Sequence, residues 1–173
     1  NEYNIKGRII GKIFSLPILN KIFNDQLKVT QAHISSFINY QAIAYQNNEN
    51  VQNLINRYQF NNTTDFGCIQ LFEHLNKKYS CKYMKIADRI NNLSNSFNFK
   101  NIKSFFEIGG GFGANIHFLV QNFPNIKKIL YLDTVPNIYV GTKYLKHHFG
   151  DKVKNYLELK KLNKISFQKN DEL

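Results

Sequence analysis

The sequence predicts an α/β fold, in which a helical N-terminal region leads into the first part of a parallel sheet. Three observations carry this. First, Ser104–Asp133 reads as a strand, a glycine-rich turn, a helix and a second strand ending in an acid. Phe105–Ile108 is a short apolar run, and Gly109, Gly110, Gly111 and Gly113 follow it. Ile116, Leu119, Val120 and Phe123 then recur at helical spacing up to Pro124, and Ile129–Leu132 ends at Asp133. Second, apolar residues before position 100 recur mostly at helical spacing. Third, Pro136 and Gly150 bracket another helical pattern after Asp133. The first of these is the layout of a nucleotide-binding, Rossmann-like half-unit. The expected division is a helical cap over residues 1–100 and the opening half of the sheet domain over 101–173.

The chemistry of the turn follows from its residue types. Glycines let the backbone leave the strand sharply and let a ligand approach where a Cβ would obstruct it. The following helix, beginning near Gly113, aims unpaired N–H groups at that ligand. Asp133, at the carboxyl end of the second strand, is positioned to accept both hydroxyls of an adenosine ribose. NAD and S-adenosylmethionine satisfy these features equally, and Gly109-x-Gly111-x-x-Ala114 fits the dinucleotide pattern. Glu107 discriminates between them. Two residues before the first glycine, its carboxylate would oppose the pyrophosphate of NAD, whereas it suits the ammonium and sulfonium of S-adenosylmethionine.

In chain order, Pro17 interrupts the apolar residues Ile9–Phe23, whose flanking Lys12 and Lys21 allow an interfacial amphipathic helix and hence peripheral membrane contact. Packing on a neighbouring domain is the simpler reading. Helices are expected over 30–46 with Thr30 as N-cap, over 49–58, over 66–79 with Ile69, Phe72 and Leu75 on one stripe, and over 82–96. Residues 97–103 read as a linker. Tyr139, Val140, Tyr144 and Leu145 form the apolar face of the helix after Asp133, and His147-His148 complement its C-terminal dipole. A short helix with Val153, Tyr156 and Leu157 inward should follow, and Ile165–Phe167 is a candidate third strand.

Glu107-Ile-Gly-Gly-Gly-Phe-Gly113 resembles the first motif of class I S-adenosylmethionine-dependent methyltransferases. FFEIGGGFGANIHFL followed by YLDTVPNIYVGTKYLKHHFG is similar to bacterial sugar O-methyltransferases, most closely over Ser104–Gly150. The resemblance implies S-adenosyl-L-methionine as cofactor and a sugar or glycan hydroxyl as acceptor. It implies a cofactor site at Glu107, Gly109, Gly110, Gly111, Phe112, Gly113, Asp133 and Thr134. It also implies helices that cover the cofactor and a seven-stranded sheet, of which this chain supplies two strands and a candidate third. On that reading Phe105–Ile108 presents an unpaired apolar edge. No residue is assigned as catalytic, and an NAD(P)-dependent oxidoreductase or a non-catalytic binding module is the competing reading.

Composition is that of a globular chain: 173 residues, 43% hydrophobic, 20% charged and 14% aromatic. No run of 18 apolar residues and no signal-peptide pattern occurs, so a cytoplasmic location is expected. The net charge of +11 comes from lysines scattered singly and in pairs, without a nucleic-acid motif, and no nucleic-acid partner is expected. Cys68 and Cys81 are expected as free thiols, and with His74 they match no metal-ligand spacing.

Overall fold

A computed structural model describes residues 17–64 and 70–162. The chain divides into two compact units, Asn1–Ile43 and Ala44–Leu173, and the second holds every expected site residue. The expected boundary at residue 100 falls inside that second unit, because the helices before it pack against the helix after it.

Helix α1 spans Pro17–Gln46. Pro17 is its first residue, where the missing N–H costs nothing, so the proline opens this helix where an interruption was expected. Thr30 is consequently mid-helix, not an N-cap; its hydroxyl donates back to the Gln26 carbonyl at 2.8 Å. Helix α2 covers Asn50–Arg57, close to expectation, and buries Val51 and Leu54.

The helix expected over 66–79 is not formed. Residues 65–69, including Cys68, lie outside the described residues. After them comes a hairpin, β1 (Leu71–His74) antiparallel to β2 (Lys77–Ser80), so the N-terminal region is not all helical. Leu75 and Asn76 form the two-residue turn with φ of 49° and 60°, the positive-φ pair that matches strand twist in tight hairpins. Phe72 and Tyr79 face each other across the ladder and stack at 5.9 Å. Two residues seven apart sit on one helix face, but they are also cross-strand partners around a two-residue turn. The expected stripe joined Phe72 to Leu75, a three-residue spacing that the tight turn breaks, leaving Leu75 75% exposed.

Helix α3 (Cys81–Leu93) starts directly from β2, with Ser80 as N-cap accepting from the Tyr83 N–H. It buries Tyr83, Met84, Ile86, Ala87 and Ile90, while Cys81 is a free, buried thiol. A 3₁₀ turn, Phe99–Asn101, occupies the expected linker.

The parallel pair is present as expected. β3 (Ser104–Ile108) and β4 (Lys128–Leu132) run in register from Ser104↔Lys128 to Ile108↔Leu132, joined by α4 (Ala114–Asn122). Among the described residues β3 pairs with β4 alone, leaving its other edge open. Helix α5 (Val135–Phe149) follows, with Pro136 in its first turn and Gly150 as its C-cap. A second 3₁₀ turn, Gly150–Lys152, leads to α6 (Tyr156–Leu159), capped by Asn155 and Glu158 in a reciprocal box. Tyr156 and Leu157 are exposed rather than inward. Ile165–Phe167 lies outside the described residues. The architecture is mixed α/β, with one antiparallel and one parallel two-stranded sheet. No helix among the described residues is long and apolar enough to cross a membrane.

α4 is central: its Phe118 is fully buried and packs against Tyr58, Phe60 and Tyr83. Each such side chain removed from water contributes about 1.5–3 kcal/mol. On the side of α4 nearer the chain's end, Ile116 packs with Tyr144 and Leu145 of α5, and Ile129 and Tyr131 of β4 lie beneath them. This fastens α5 over the inward face of β3–β4 and fixes the turn between strand and helix.

Candidate functional site

The site is built from the ends of β3 and β4. The chain leaves β3 through Gly109, Gly111 and Gly113, whose φ values are 73°, 65° and 91°, so the sharp turn predicted from the glycines is formed. Gly113 caps α4.

Glu107 points inward from β3 and lies beneath this turn, 7% exposed. A Cβ on Gly110 would crowd the Glu107 carboxyl group, so any side chain there requires the carboxylate to shift. Asn115 donates to Oε1 at 2.6 Å, while the buried Oε2 has no hydrogen-bond partner. Burial pushes this carboxyl above the ordinary range, the Asn115 bond opposes the shift, and Asp133 adds to it. Lys82 and Arg89 oppose it as well.

Asp133 lies on the other side of the turn and is already engaged. Its Oδ2 accepts from the Gly111 N–H at 2.7 Å. Its Oδ1 accepts from the Thr134 N–H at 2.6 Å, the Thr134 hydroxyl at 3.2 Å and the Asn137 amide at 3.1 Å. Desolvation raises its pKa, but the bonds from Asn137, Gly111 and Thr134 outweigh this and hold the carboxyl below its ordinary range. Asp133 therefore ties the glycine turn to the first turn of α5. A ribose would share the carboxylate with these donors, the exposed Thr134 hydroxyl and Asn137 amide being the two that a ligand can replace.

Phe112, at the tip of the turn, meets Tyr144 edge-on at 5.0 Å and carries the Lys82 ammonium 5.8 Å from its ring centroid. The structure thus brings Glu107, the glycines, Phe112, Asp133 and Thr134 together around one turn.

No family model, curated protein or solved structure matches this chain.

Four supporting residues were not among those expected. Tyr131 donates its hydroxyl to the Gly111 carbonyl, and Gly141 of α5 makes room for that hydroxyl: a Cβ there would lie 2.7 Å away. Asn115 orients Glu107, and Lys82 reaches the turn from α3. Tyr131 and Asn115 lie inside the motif segment and could have been singled out as its polar residues; nothing in the sequence placed Lys82 beside it.

His147 and His148 both lie in the last turn of α5, as expected, with their ring centroids 4.9 Å apart. His147 is exposed, whereas the His148 ring stacks on buried His117 at 4.2 Å. His117 Nδ1 is hydrogen-bonded with the hydroxyls of Tyr83 (2.7 Å) and Tyr144 (2.5 Å), and burial, with His148 beside it, lowers its pKa to about 4. His74 is half-buried on β1 with its Nε2 2.8 Å from Gln52 Oε1. Among the described residues no group of three or more His, Cys, Asp or Glu is placed to hold a metal.

Proposed function

We propose that the chain is an S-adenosylmethionine-dependent O-methyltransferase that binds its cofactor at the glycine turn. The observation that carries this is the buried Oε2 of Glu107, without a hydrogen-bond partner, beneath Gly110 of the turn. A desolvated carboxylate oxygen without a donor is costly, and a cationic ligand group relieves that cost. The ammonium of S-adenosylmethionine supplies such a group, while a pyrophosphate brings charge of the wrong sign. In this assignment the glycine turn holds the amino-acid end, Asp133 and Thr134 the ribose, and Phe112 flanks the methionyl chain.

When bound, the cofactor supplies an electrophilic methyl group on a sulfonium. The chain's own part is to bind, orient and exclude water, since an in-line displacement depends mainly on positioning. The acceptor hydroxyl gives up its proton to a base that no described residue is assigned to provide. A sugar hydroxyl as acceptor and a cytoplasmic location rest on the sequence resemblance and belong to this proposal.

Calorimetry against S-adenosylhomocysteine and NAD tests the reading. Glu107→Gln keeps the shape and removes the anion, so affinity for S-adenosylhomocysteine should fall about tenfold, by loss of a charge-assisted bond. NAD binding by the parent protein, with none of the homocysteine product, would establish a dinucleotide enzyme instead.

A further inference from the structure

We propose that α1 is a self-association surface, on which two copies of this chain pair helix against helix. The inference is independent of the methyl-donor reading, since α1 lies apart from the glycine turn in sequence and contributes no residue to it.

Every residue of this 30-residue helix from Asn24 to Phe37 is exposed, on all sides of the helix. Leu27 is 42% exposed and Ile34 53%. A helix without packing depends on strong helix formers and on opposite charges three or four residues apart. From Val29 to Asn48 there is no Asp, Glu, Lys or Arg, in a chain that is 20% charged. The same stretch holds Val29, Thr30, Ile34, Ser35, Ser36 and Asn39, which favour helix only weakly. Such a helix is stabilised by packing against a partner.

Pattern and charge identify that partner. Leu27, Thr30, Ile34, Phe37, Gln41 and Ala44 follow one another by alternate steps of three and four residues. That is the seam along which one helix pairs with another, and polar residues within it, here Thr30 and Gln41, fix the register. Asp25, Ala32, Asn39 and Gln46 lie directly opposite and are charged, polar or small. Two copies each carrying a net charge of +11 repel wherever their lysines meet, and this uncharged stretch lets them approach without opposed charges. An acidic protein or an anionic membrane is held by basic side chains beside the apolar stripe, and Val29–Asn48 supplies none.

Sedimentation equilibrium of the whole chain over a range of concentrations tests this. The mass should rise toward that of two copies. Ile34→Lys sets like charges into the seam and should weaken association about tenfold or more. Asn39→Lys adds the same charge on the opposite side and should leave association unchanged. Thermal unfolding checks that the second compact unit stays folded in both variants. Equal weakening by the two substitutions would show general charge repulsion, and unchanged association in both would place the interface elsewhere; either result overturns the proposal. A parent that stays monomeric at every concentration overturns it too. If that monomer also cosediments with anionic phospholipid vesicles, and Ile34→Lys alters this, the helix serves a lipid surface instead.

Discussion

The two faces of the β3–β4 sheet have similar side chains and opposite fates. On one face Phe105, Glu107, Ile129 and Tyr131 lie under helices, with Glu107 only 7% exposed. On the other, Phe106 is 54% exposed, Ile108 71%, Leu130 37% and Leu132 52%. Strands that are apolar on both faces have the composition of a parallel sheet buried on both sides. What differs is the partner. α4 and α5 are tied to the inward face by the chain connection itself, and the carboxylate and tyrosyl groups of the site are placed on that face.

Substitution of Leu145 is the strongest way to break this contrast. Leu145 is 4% exposed and packs over the inward face against Gly113. Leu145→Ala should cost about 2–5 kcal/mol in urea unfolding, from lost burial and the cavity left behind. Ile108→Ser on the open face should change stability by less than about 0.5 kcal/mol. A cost for Ile108→Ser comparable with that for Leu145→Ala would mean that the open face is covered in solution.

Acid should loosen the covered side next. The folded-state pKa of His117 is about 4, below the ordinary 6.5, so below pH 6.5 the unfolded chain binds more protons than the folded one. Its contribution is complete above about pH 6.5 and is lost as pH falls toward 4, with a slope of at most about 1.4 kcal/mol per pH unit. His117 is faced by Tyr83 from α3 and by Tyr144 and His148 from α5, so the loss reports on the α4–α5 contact. Unfolding midpoints measured between pH 4.5 and 7.5 should flatten in His117→Gln; an unchanged slope there would assign the acid sensitivity to another group.

A smaller effect concerns the polar anchor of the glycine turn. Tyr131→Phe removes the hydroxyl that bonds the Gly111 carbonyl and should cost about 0.5–1.5 kcal/mol. Amide hydrogen exchange should quicken at Gly111 and its neighbours, and unchanged protection would show that Asp133 alone holds the turn. The smallest effect is expected outside both faces. Lys146 and Glu158 form an ion pair at 3.2 Å with both side chains substantially exposed. Lys146→Ala should leave the unfolding midpoint unchanged within error, as is usual for exposed pairs.

Local signals specified much of this. The consecutive glycines, the flanking apolar runs and Pro136 each act within a few residues, so the strand, turn, helix and strand of Ser104–Asp133 were legible to within a residue or two. The helix at 50–57 and most of the one at 81–93 were legible for the same reason. The segment 71–80 was not, because Phe72 and Leu75, read at helical spacing, belong to a strand and to the turn that ends it. Their choice of hairpin goes with burial of Phe72 against Tyr45 and Tyr79 and with a left-handed turn at Leu75-Asn76.

The sequence by itself determined the order of elements around the glycine turn and the acids at both strand ends, since these depend on backbone freedom and short-range spacing. Tertiary structure alone decided which groups those acids meet. Asp133 bonds Gly111 across 22 positions, Tyr131 finds the Gly111 carbonyl, and His148 is drawn onto His117. Lys82 approaches a turn 30 residues further along the chain. Such contacts depend on how helices seat on a sheet, and packing sums over many residues that no local window contains.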